Sequence, residues 1–297
     1  MIRIPYYPGC TLNTVAKAFD TSARASAAQL GVELVELNPW NCCGASFPLT
    51  PDNLMGLAGP TNVLLSAQRA GGTVSTLCSF CYNTLKRTNR AFRDDPEKLE
   101  VLNDFLEDRY EGRVEVLHLL EVLRDRLGFD ALKARVSRPL KGLKVAAYYG
   151  CMLLRPPGVG VDHPEQPRVF EDFLKALGAK PVEFPQRGEC CGAHLAMNRE
   201  DIVQRLSGSV LQSAREAGAD LVVTSCPLCF HNLERSQEVL LESQGGWVGV
   251  PVLYFTQILG LALGQDPQGL GIGENRFPAE PLLREKGLLE PVAAQTA

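Results

Sequence analysis

The sequence lacks the segments that carry a chain into or across a membrane. None of its 297 residues belong to a run of about 18 consecutive apolar positions, the length that a membrane-spanning helix needs. The most apolar candidate, residues 248–263, is interrupted by glycine, proline and glutamine. Residues 1–7 also lack the apolar core and the small-residue cleavage site of a signal peptide. We therefore expect a cytoplasmic protein that is not an integral membrane protein, either free or peripheral to a membrane complex.

The sequence also has no large excess of acidic or of basic residues. Thirty Lys and Arg residues face 34 Asp and Glu residues, so the net charge is only −4. This balance argues against a nucleic-acid partner. The sequence contains no Gly-x-Gly-x-x-Gly motif for a flavin or nicotinamide and no Cys-x2-Cys-x2-Cys-x3-Cys run of a ferredoxin. The chain is therefore not expected to carry its own dinucleotide cofactor.

Cysteine, by contrast, is abundant and regularly spaced. The ten cysteines form two sets with the spacings C-x31-CC-x34-C-x2-C and C-x38-CC-x34-C-x2-C, and none is left over. In a reducing compartment structural disulfides are rare, so spaced thiols of this kind indicate metal or redox chemistry. The first set consists of Cys10, Cys42, Cys43, Cys78 and Cys81, and the second of Cys151, Cys190, Cys191, Cys226 and Cys229.

The spacing is part of a repeat that includes the predicted strands and helices. Tyr6-Tyr7 matches Tyr148-Tyr149, and each Cys-Cys pair is followed by Gly-Ala. Alternating strand and helix patterns predict an α/β fold of two pseudo-symmetric Rossmann-like repeats, with small, mostly parallel sheets flanked by helices. We expect a first domain at 1–128, a second at 143–263, a linker at 129–142 and an irregular tail at 264–297. Four cysteines directly follow predicted strands, so the thiols should meet at the sheet edges where ligands bind.

Three kinds of chemistry compete for these thiols. Structural Zn sites use four ligands, often from Cys-x2-Cys pairs, but five thiols per half and adjacent cysteines suit one closed tetrahedral site poorly. Zn at one of the two sites stays open as an alternative. Redox-active dithiols at Cys78/Cys81 and Cys226/Cys229 would leave the Cys-Cys-Gly loops unexplained. Iron–sulfur clusters are usually held by thiolates, and a fifth thiolate indicates something other than a simple cube.

The whole arrangement resembles the B subunits of heterodisulfide reductases, a family of proteins with two Cys-Cys-Gly domains. The resemblance covers about residues 3–285 and is carried by the two cysteine sets, by Tyr148-Tyr149-Gly150-Cys151, by Cys190-Cys191-Gly192-Ala193-His194 and by Cys226-Pro227-Leu228-Cys229. It implies that each half holds a noncubane [4Fe–4S] cluster, bound by the five cysteines of its set. It also implies a disulfide reductase, or a thiol oxidase, whose small-molecule substrate lies between the two clusters. The partners implied are a ferredoxin-like iron–sulfur subunit and a flavin-containing subunit.

A few other residues are candidates for roles near the clusters. His194 and His231 could donate a proton to a leaving thiolate, or could simply hydrogen-bond a cluster sulfur. Arg155 is a candidate to receive an anionic group of the substrate. Weaker candidates for that role are Arg187, Lys86 and Arg87, the last two of which are better explained as solvated surface. Tyr6, Tyr7, Tyr148 and Tyr149 are expected in the core, His118 at a strand end, and His163 in a loop.

The sequence leaves a second function open. The chain could be an electron-transfer subunit of a quinone-linked or acyl-CoA-processing dehydrogenase complex, in which the clusters relay electrons without binding a disulfide. A pocket between the two cluster sites, lined by Arg155 or His194, would favour catalysis, whereas a filled boundary would favour relay.

Overall fold

The computed structural model describes residues 1–45, 54–243 and 247–290, without the side chain of Ser243. It contains two units with the same order of strands. The first unit comprises β1 (Ile2–Tyr6), α1 (Lys17–Gln29), β2 (Val32–Glu36), α2 (Ala58–Arg69), β3 (Thr73–Thr76), α3 (Ser79–Asp94), α4 (Pro96–Leu106), β4 (Glu115–His118) and α5 (Leu119–Glu121). The segment Val122–Leu127 continues α5 as a π-helix, and α6 (Phe129–Lys133) leads to the second unit.

The second unit repeats this plan with one helix fewer between its third and fourth strands. It comprises β5 (Lys144–Tyr148), α7 (Val169–Ala176), β6 (Lys180–Val182), α8 (Glu200–Glu216), β7 (Leu221–Thr224), α9 (Pro227–Ser243), β8 (Val252–Tyr254) and α10 (Phe255–Ala262). The segment that follows carries α11 (Glu280–Glu285).

Each unit is built on one four-stranded sheet. The strand orders are β2-β1-β3-β4 and β6-β5-β7-β8, and all strand pairs are parallel. The predicted α/β fold with two repeats is thus confirmed. In both sheets the connections leave in opposite directions from the first strand of the unit, so β1/β3 and β5/β7 are topological switch points, where open α/β sheets form ligand sites.

Local chemistry explains where the long helical region of the first unit divides. The Asp95 side chain accepts a hydrogen bond from the Lys98 amide, and Pro96 occupies the first turn of α4. Proline at this position costs no helical hydrogen bond within α4 but cannot continue α3. The helical region therefore divides between Asp94 and Pro96, and α4 ends at Glu107, a residue in the left-handed conformation.

An outer helix of each unit packs against helices of the other unit. Helix α1 of the first unit packs against α10 of the second, where Ser22 and Thr256 share a 2.6 Å hydrogen bond and Gln29 donates to the Leu263 carbonyl at 2.8 Å. In the opposite direction α7 of the second unit packs against α5 and α6. A single cluster of buried side chains extends through both units, so the predicted boundaries at 128 and 143 separate two repeats with one shared core.

The segment after residue 263 is less irregular than predicted. It contains α11, and Leu270, Ile272 and Leu283 within it are buried. The expectation of an irregular tail is therefore wrong for residues 280–285, because their apolar side chains have a surface of the core to cover. Residues 291–297 of the predicted tail lie outside the described residues.

Candidate functional site

The thiols of both units lie where their parallel strands end. Cys10 and Cys151 follow β1 and β5, and Cys78 and Cys226 come directly before α3 and α9. The sheet order brings these positions to the switch point of each sheet, as the sequence predicts. All ten cysteines are free thiols.

In the first unit the five thiols form one connected group. The Sγ atoms of Cys10 and Cys42 are 3.9 Å apart, and those of Cys43 and Cys81 are 3.5 Å apart. The pKa of Cys43 is well below its usual value because the thiols of Cys42 and Cys81 donate to it. Cys81 in turn hydrogen-bonds Cys78, so the group is continuous. Cys10 and Cys42 are exposed, whereas the other three are buried.

The second unit gathers its thiols in the same way. Cys191 Sγ and Cys229 Sγ lie 3.5 Å apart, and Cys229 also bonds Cys226. The pKa of Cys190 is lowered to about 6, first by the hydrogen bond from Cys151 and then by the Gly192 amide and the charge of His194. Here no thiol is fully exposed, since Cys151 and Cys190 are half-buried and the others are buried.

The two groups meet at the boundary between the units. The hydroxyls of Ser79 and Ser225 are 2.7 Å apart, and the Ser79 amide donates to the Ser225 carbonyl at 3.2 Å. These serines adjoin Cys78 and Cys226. The pKa of Cys78 is well below its usual value chiefly because the Cys226 thiol donates to it across this boundary. The ends of the two thiol groups are therefore in contact.

A glycine precedes the lone cysteine of each unit and makes room for the thiols. Gly9 and Gly150 have φ values of +75° and +64°, in the region that glycine favours. A Cβ atom at Gly9 would lie 3.0 Å from Cys81 Sγ, and one at Gly150 would lie 3.3 Å from Cys229 Sγ. Both backbones thus approach the thiols more closely than a residue with a side chain would permit.

A tyrosine three residues before each lone cysteine holds the Cys-Cys loop. Tyr7 donates to the Asn41 carbonyl at 2.9 Å and Tyr148 to the Glu189 carbonyl at 2.7 Å, in both cases the residue just before the cysteine pair. Burial raises the pKa of both phenols, and the neighbouring thiols raise it further. The equivalent residues are thus Tyr7 and Tyr148, which corrects the match of Tyr6-Tyr7 to Tyr148-Tyr149. Aligned on the cysteines, Pro8 takes the place of Tyr149, so counting back from Cys10 and Cys151 would have revealed this.

A polar residue three positions after each Cys-x2-Cys pair contacts the same loops, and the sequence-based prediction did not include it. Thr84 donates to the Ala45 carbonyl at 3.2 Å. Asn232 lies 3.4 Å from the Cys191 carbonyl and 3.6 Å from Cys191 Sγ. The sequence feature that could have predicted both residues is their position three residues, or about one helical turn, after Cys81 and Cys229. This position places them beside the loop that those thiols face.

Comparison with known proteins agrees with this geometry. The model of the CCG family, described as a cysteine-rich domain, matches residues 4–86 and 145–234. The chain belongs to this family. One match lies within each structural unit, and together the two contain all ten cysteines, so we call each unit a CCG unit.

Relatives of known name are similar over nearly the whole chain. The 8-methylmenaquinol:fumarate reductase membrane anchor subunit of Wolinella succinogenes is 36% identical, over 93% of this chain and 98% of that protein. The B subunit of the ferredoxin/F420H2-dependent CoB–CoM heterodisulfide reductase of Methanosarcina acetivorans is 32% identical, over 93% of this chain and 94% of that protein. The resemblance to the heterodisulfide reductase B subunits is confirmed, and the family supports an iron–sulfur, electron-transporting oxidoreductase.

One solved structure shows the same fold. A hypothetical protein from Helicobacter pylori superimposes with a TM-score of 0.72 at 16% identity, over 93% of this chain. The chain spans about half the length of that protein. Among the described helices of the present chain, none is both long and apolar enough to cross a membrane.

The structure separates the two candidate histidines. His194 lies in a small cavity of the second CCG unit together with Cys151, Cys190 and residues Ser79 and Phe80 of the first unit. His231 is exposed in a different groove, between α8 and α9, with Glu200 and Arg235. Burial and the nearby Arg235 lower the pKa of His231. Only His194 is therefore placed beside thiols and open space.

The candidate arginines are already paired. Arg155 bonds Glu165 at 2.8 Å and the Gly188 carbonyl at 3.1 Å. Arg187 forms an ion pair of 3.0 Å with the buried Glu171. These contacts give both guanidinium groups a structural task, because they hold the segment that leads to Cys190. The interpretation of either as a free anion receptor gains no support.

The remaining candidates also make structural contacts. Lys86 Nζ donates to the Tyr82 hydroxyl at 2.6 Å, and Arg87 is half-buried on the same helix. His118 bonds the Leu77 carbonyl at 2.7 Å and caps α5, and burial lowers its pKa to about 3, so it is neutral. His163 accepts two backbone amides of its loop. All four candidate tyrosines are buried, as expected.

The donor set fits an iron–sulfur group better than a single ion. Each CCG unit presents five thiols, and glycines leave space against two of them. Within residues 1–45, 54–243 and 247–290, no three or more Cys, His, Asp or Glu side chains are placed to hold one metal ion. The number of thiols is what favours a cluster, since a closed Zn site takes four ligands and thiolates are the usual ligands of iron–sulfur clusters.

Proposed function

We propose that the chain is the catalytic iron–sulfur subunit of a heterodisulfide reductase-like complex, which reduces a disulfide or oxidises two thiols. The observation that carries the proposal is the contact between two complete thiol groups at Ser79 and Ser225. A disulfide takes up two electrons, and two adjacent one-electron centres are suited to deliver them to one substrate.

Each thiol group would hold one [4Fe–4S] cluster, of the noncubane type that five ligands imply. The first cluster would be bound by the thiolates of Cys10, Cys42, Cys43, Cys78 and Cys81, and the second by those of Cys151, Cys190, Cys191, Cys226 and Cys229. When bound, the clusters supply single electrons at low potential.

The residues of the chain would position the substrate and manage protons. Reduction breaks the S–S bond of the disulfide and consumes two electrons and two protons, which leaves two thiols. His194, beside the small cavity, is the candidate to donate one of these protons. Ser79 and Phe80 would bring a polar and an apolar surface of the first unit to the same cavity. We assign no catalytic role to His231 or Arg155, whose contacts lie elsewhere.

The electrons would be exchanged with other subunits. Since the sequence has no dinucleotide-binding motif, a ferredoxin-like subunit and a flavin-containing subunit would supply or accept them. We expect the complex in the cytoplasm, either free or peripheral to a membrane.

A relay function is the second candidate, and two observations favour it. The boundary between the thiol groups is filled by Ser79, Ser225 and buried cysteines, and the cavity beside it is small. In addition, a relative with 36% identity is named as a subunit of a menaquinol:fumarate reductase. In this role the chain would pass electrons to a quinone-linked partner without binding a disulfide.

Iron and acid-labile sulfide in anaerobically purified protein, followed by EPR after oxidation in the presence of a thiol, test the proposal. Two clusters correspond to about eight iron atoms per chain. A signal that appears only with the thiol would support disulfide chemistry. Eight iron atoms with no response to any thiol would favour relay, and zinc in place of iron would overturn both functions.

A further inference from the structure

The loop that follows Cys151 differs from its counterpart in the first unit. Residues 152–168 separate Cys151 from α7, whereas only residues 11–16 separate Cys10 from α1. The shorter loop is closed by its own contacts, since Thr14 donates to the Cys10 carbonyl at 3.0 Å and the Ala16 amide to the Thr11 carbonyl at 2.9 Å. We call residues 152–163 of the longer loop the strap.

The strap is held by side chains of the other unit. Asn83 on α3 donates to the Met152 carbonyl at 2.8 Å and to the Arg155 carbonyl at 2.5 Å. Further along, Arg90 on the same helix donates to the Pro157 carbonyl at 2.9 Å, and Arg124 donates to the Val161 carbonyl at 2.9 Å. Three side chains from the first unit thus bind four carbonyls along the strap.

Asn83 is the contact closest to a thiol. Its side chain is 1% exposed, it lies two residues after Cys81, and its first acceptor belongs to the residue next to Cys151. Both amide hydrogens are used, and the amide oxygen has no partner among the described residues. The opposite orientation would place that oxygen against two carbonyls, so the two acceptors determine the orientation of the amide.

We infer that Asn83 is a positioning residue that sets the place of Cys151 from the first unit, so that the geometry of the second thiol group depends on helix α3 of the first. The inference rests on the proposed function for its consequence, since a displaced Cys151 would alter the second cluster. The residue at the same position of the second unit, His231, is exposed and makes no equivalent contact among the described residues. At this position of the repeat, therefore, the contact runs from the first unit to the second and has no counterpart in return.

The first test uses the cluster-free, reduced chain and does not depend on iron. Alkylation of each cysteine by iodoacetamide, followed by mass spectrometry, reports how freely each thiol moves. In Asn83→Leu, which has a similar shape but no donor, we expect Cys151 to react at least about tenfold faster, the change expected for the loss of one to two buried hydrogen bonds. Cys10 should keep its rate.

The matched control is Asn89→Leu. Asn89 is buried on the same helix but donates to the Val114 carbonyl at 2.7 Å, within the first unit. It should lower stability while leaving the Cys151 rate unchanged at a temperature where the variant is folded. Asn83→Ser, which keeps one donor on a shorter side chain, should give an intermediate rate, and it replaces Asn83→Leu should that variant not fold. An unchanged Cys151 rate in both Asn83 variants, or an equal rise in Asn89→Leu, would overturn the inference.

The second test uses anaerobically purified protein with its iron. Asn83→Leu should shift the EPR signal and midpoint potential of one cluster and leave the other unmoved, whereas Asn89→Leu should shift neither. A wild-type chain without iron would remove the proposed function, and the alkylation rates would still decide the inference.

Discussion

The two CCG units carry equivalent thiols on two sheets of the same strand order but differ in how they cover them. The first leaves Cys10 and Cys42 exposed, whereas the second half-buries Cys151 and Cys190. The second site also includes Ser79 and Phe80 from the first unit, and its strap is tied to that unit by Asn83. The comparison shows that the repeat keeps the position of the thiols within a sheet, while the loops around the sheet determine their access.

The largest effect should come from removing one buried thiol in each unit. Cys43→Ser and Cys191→Ser occupy equivalent positions, and each should reduce the iron content from about eight to about four atoms per chain. The remaining EPR signal should then differ between the two variants, because the second site is more enclosed. Identical residual signals would contradict the claim that the two environments differ, and a full complement of iron in either variant would contradict its ligand role.

The next largest effect should come from substitution of the glycines that precede the lone cysteines. Gly9→Ala and Gly150→Ala combine a left-handed backbone with a Cβ against a thiol, so we expect each to lower the free energy of unfolding by about 3 kcal/mol. Gly9→Ala should cost more, because its contact of 3.0 Å is shorter than the 3.3 Å at Gly150. Denaturant unfolding of the cluster-free chain measures the difference.

A matched control separates strain from crowding. Gly218 has a φ of +81° but nothing within 4 Å of a Cβ atom. Gly218→Ala should therefore show only the backbone cost, about 1 kcal/mol. A cost at Gly218 as large as that at Gly9 would mean that the thiols do not crowd the backbone.

A difference in buried charge makes stability depend on pH in the second unit. Five residues after the Cys-x2-Cys pair the first unit has Lys86, whereas the second has Glu234, which is buried and accepts the Arg276 amide at 2.6 Å. Burial raises the pKa of Glu234 from 4.5 to about 7. A raised carboxyl pKa means that the native state holds a proton that the unfolded state has lost, so stability falls as pH rises from 4.5 to 7.

We expect this carboxyl to contribute a loss of about 2 kcal/mol across that window. Glu234→Gln should flatten the dependence when unfolding is measured by denaturant at pH 5 and pH 7. Glu242→Gln, at an exposed position of the same helix, provides the control and should leave the slope as it is in the wild type. An unchanged slope in Glu234→Gln would show that the carboxyl titrates normally.

The smallest effect should come from the tyrosines that hold the Cys-Cys loops. Tyr7→Phe and Tyr148→Phe each remove one hydrogen bond to a carbonyl and should each cost about 1 kcal/mol in denaturant unfolding. Tyr110→Phe, which loses a bond to Asn89 away from the thiols, is the control for iron content. Equal retention of iron by all three would mean that these phenols stabilise the fold without placing the cysteines.

The sequence predicts those features that depend on spacing along the chain. The repeat, the parallel sheets and the thiols at strand ends follow from local patterns and from the geometry of parallel strands. The position of Arg155 near a ligand suggested a receptor, but its guanidinium bonds Glu165 and the Gly188 carbonyl. That pairing depends on the path of the strap, which cannot be predicted from the periodicity of the sequence.

Contacts between the units also could not be predicted from the sequence pattern. Asn83 and His231 occupy the same position of the two repeats, yet one crosses to the other unit and the other faces solvent. The packing of α1 against α10 likewise brings together residues that are distant in sequence. A repeat predicts what each copy contains, and the packing of the copies against one another depends on side chains that differ between them.

The packing of α1 against α10 has a consequence for the order in which the parts of the core are synthesised. Helix α1 is synthesised well before its partner α10, because Thr256 follows Ser22, the serine that it contacts, by 234 residues. At ordinary rates of synthesis the first unit waits many seconds for that partner. Its thiols are complete long before its core is.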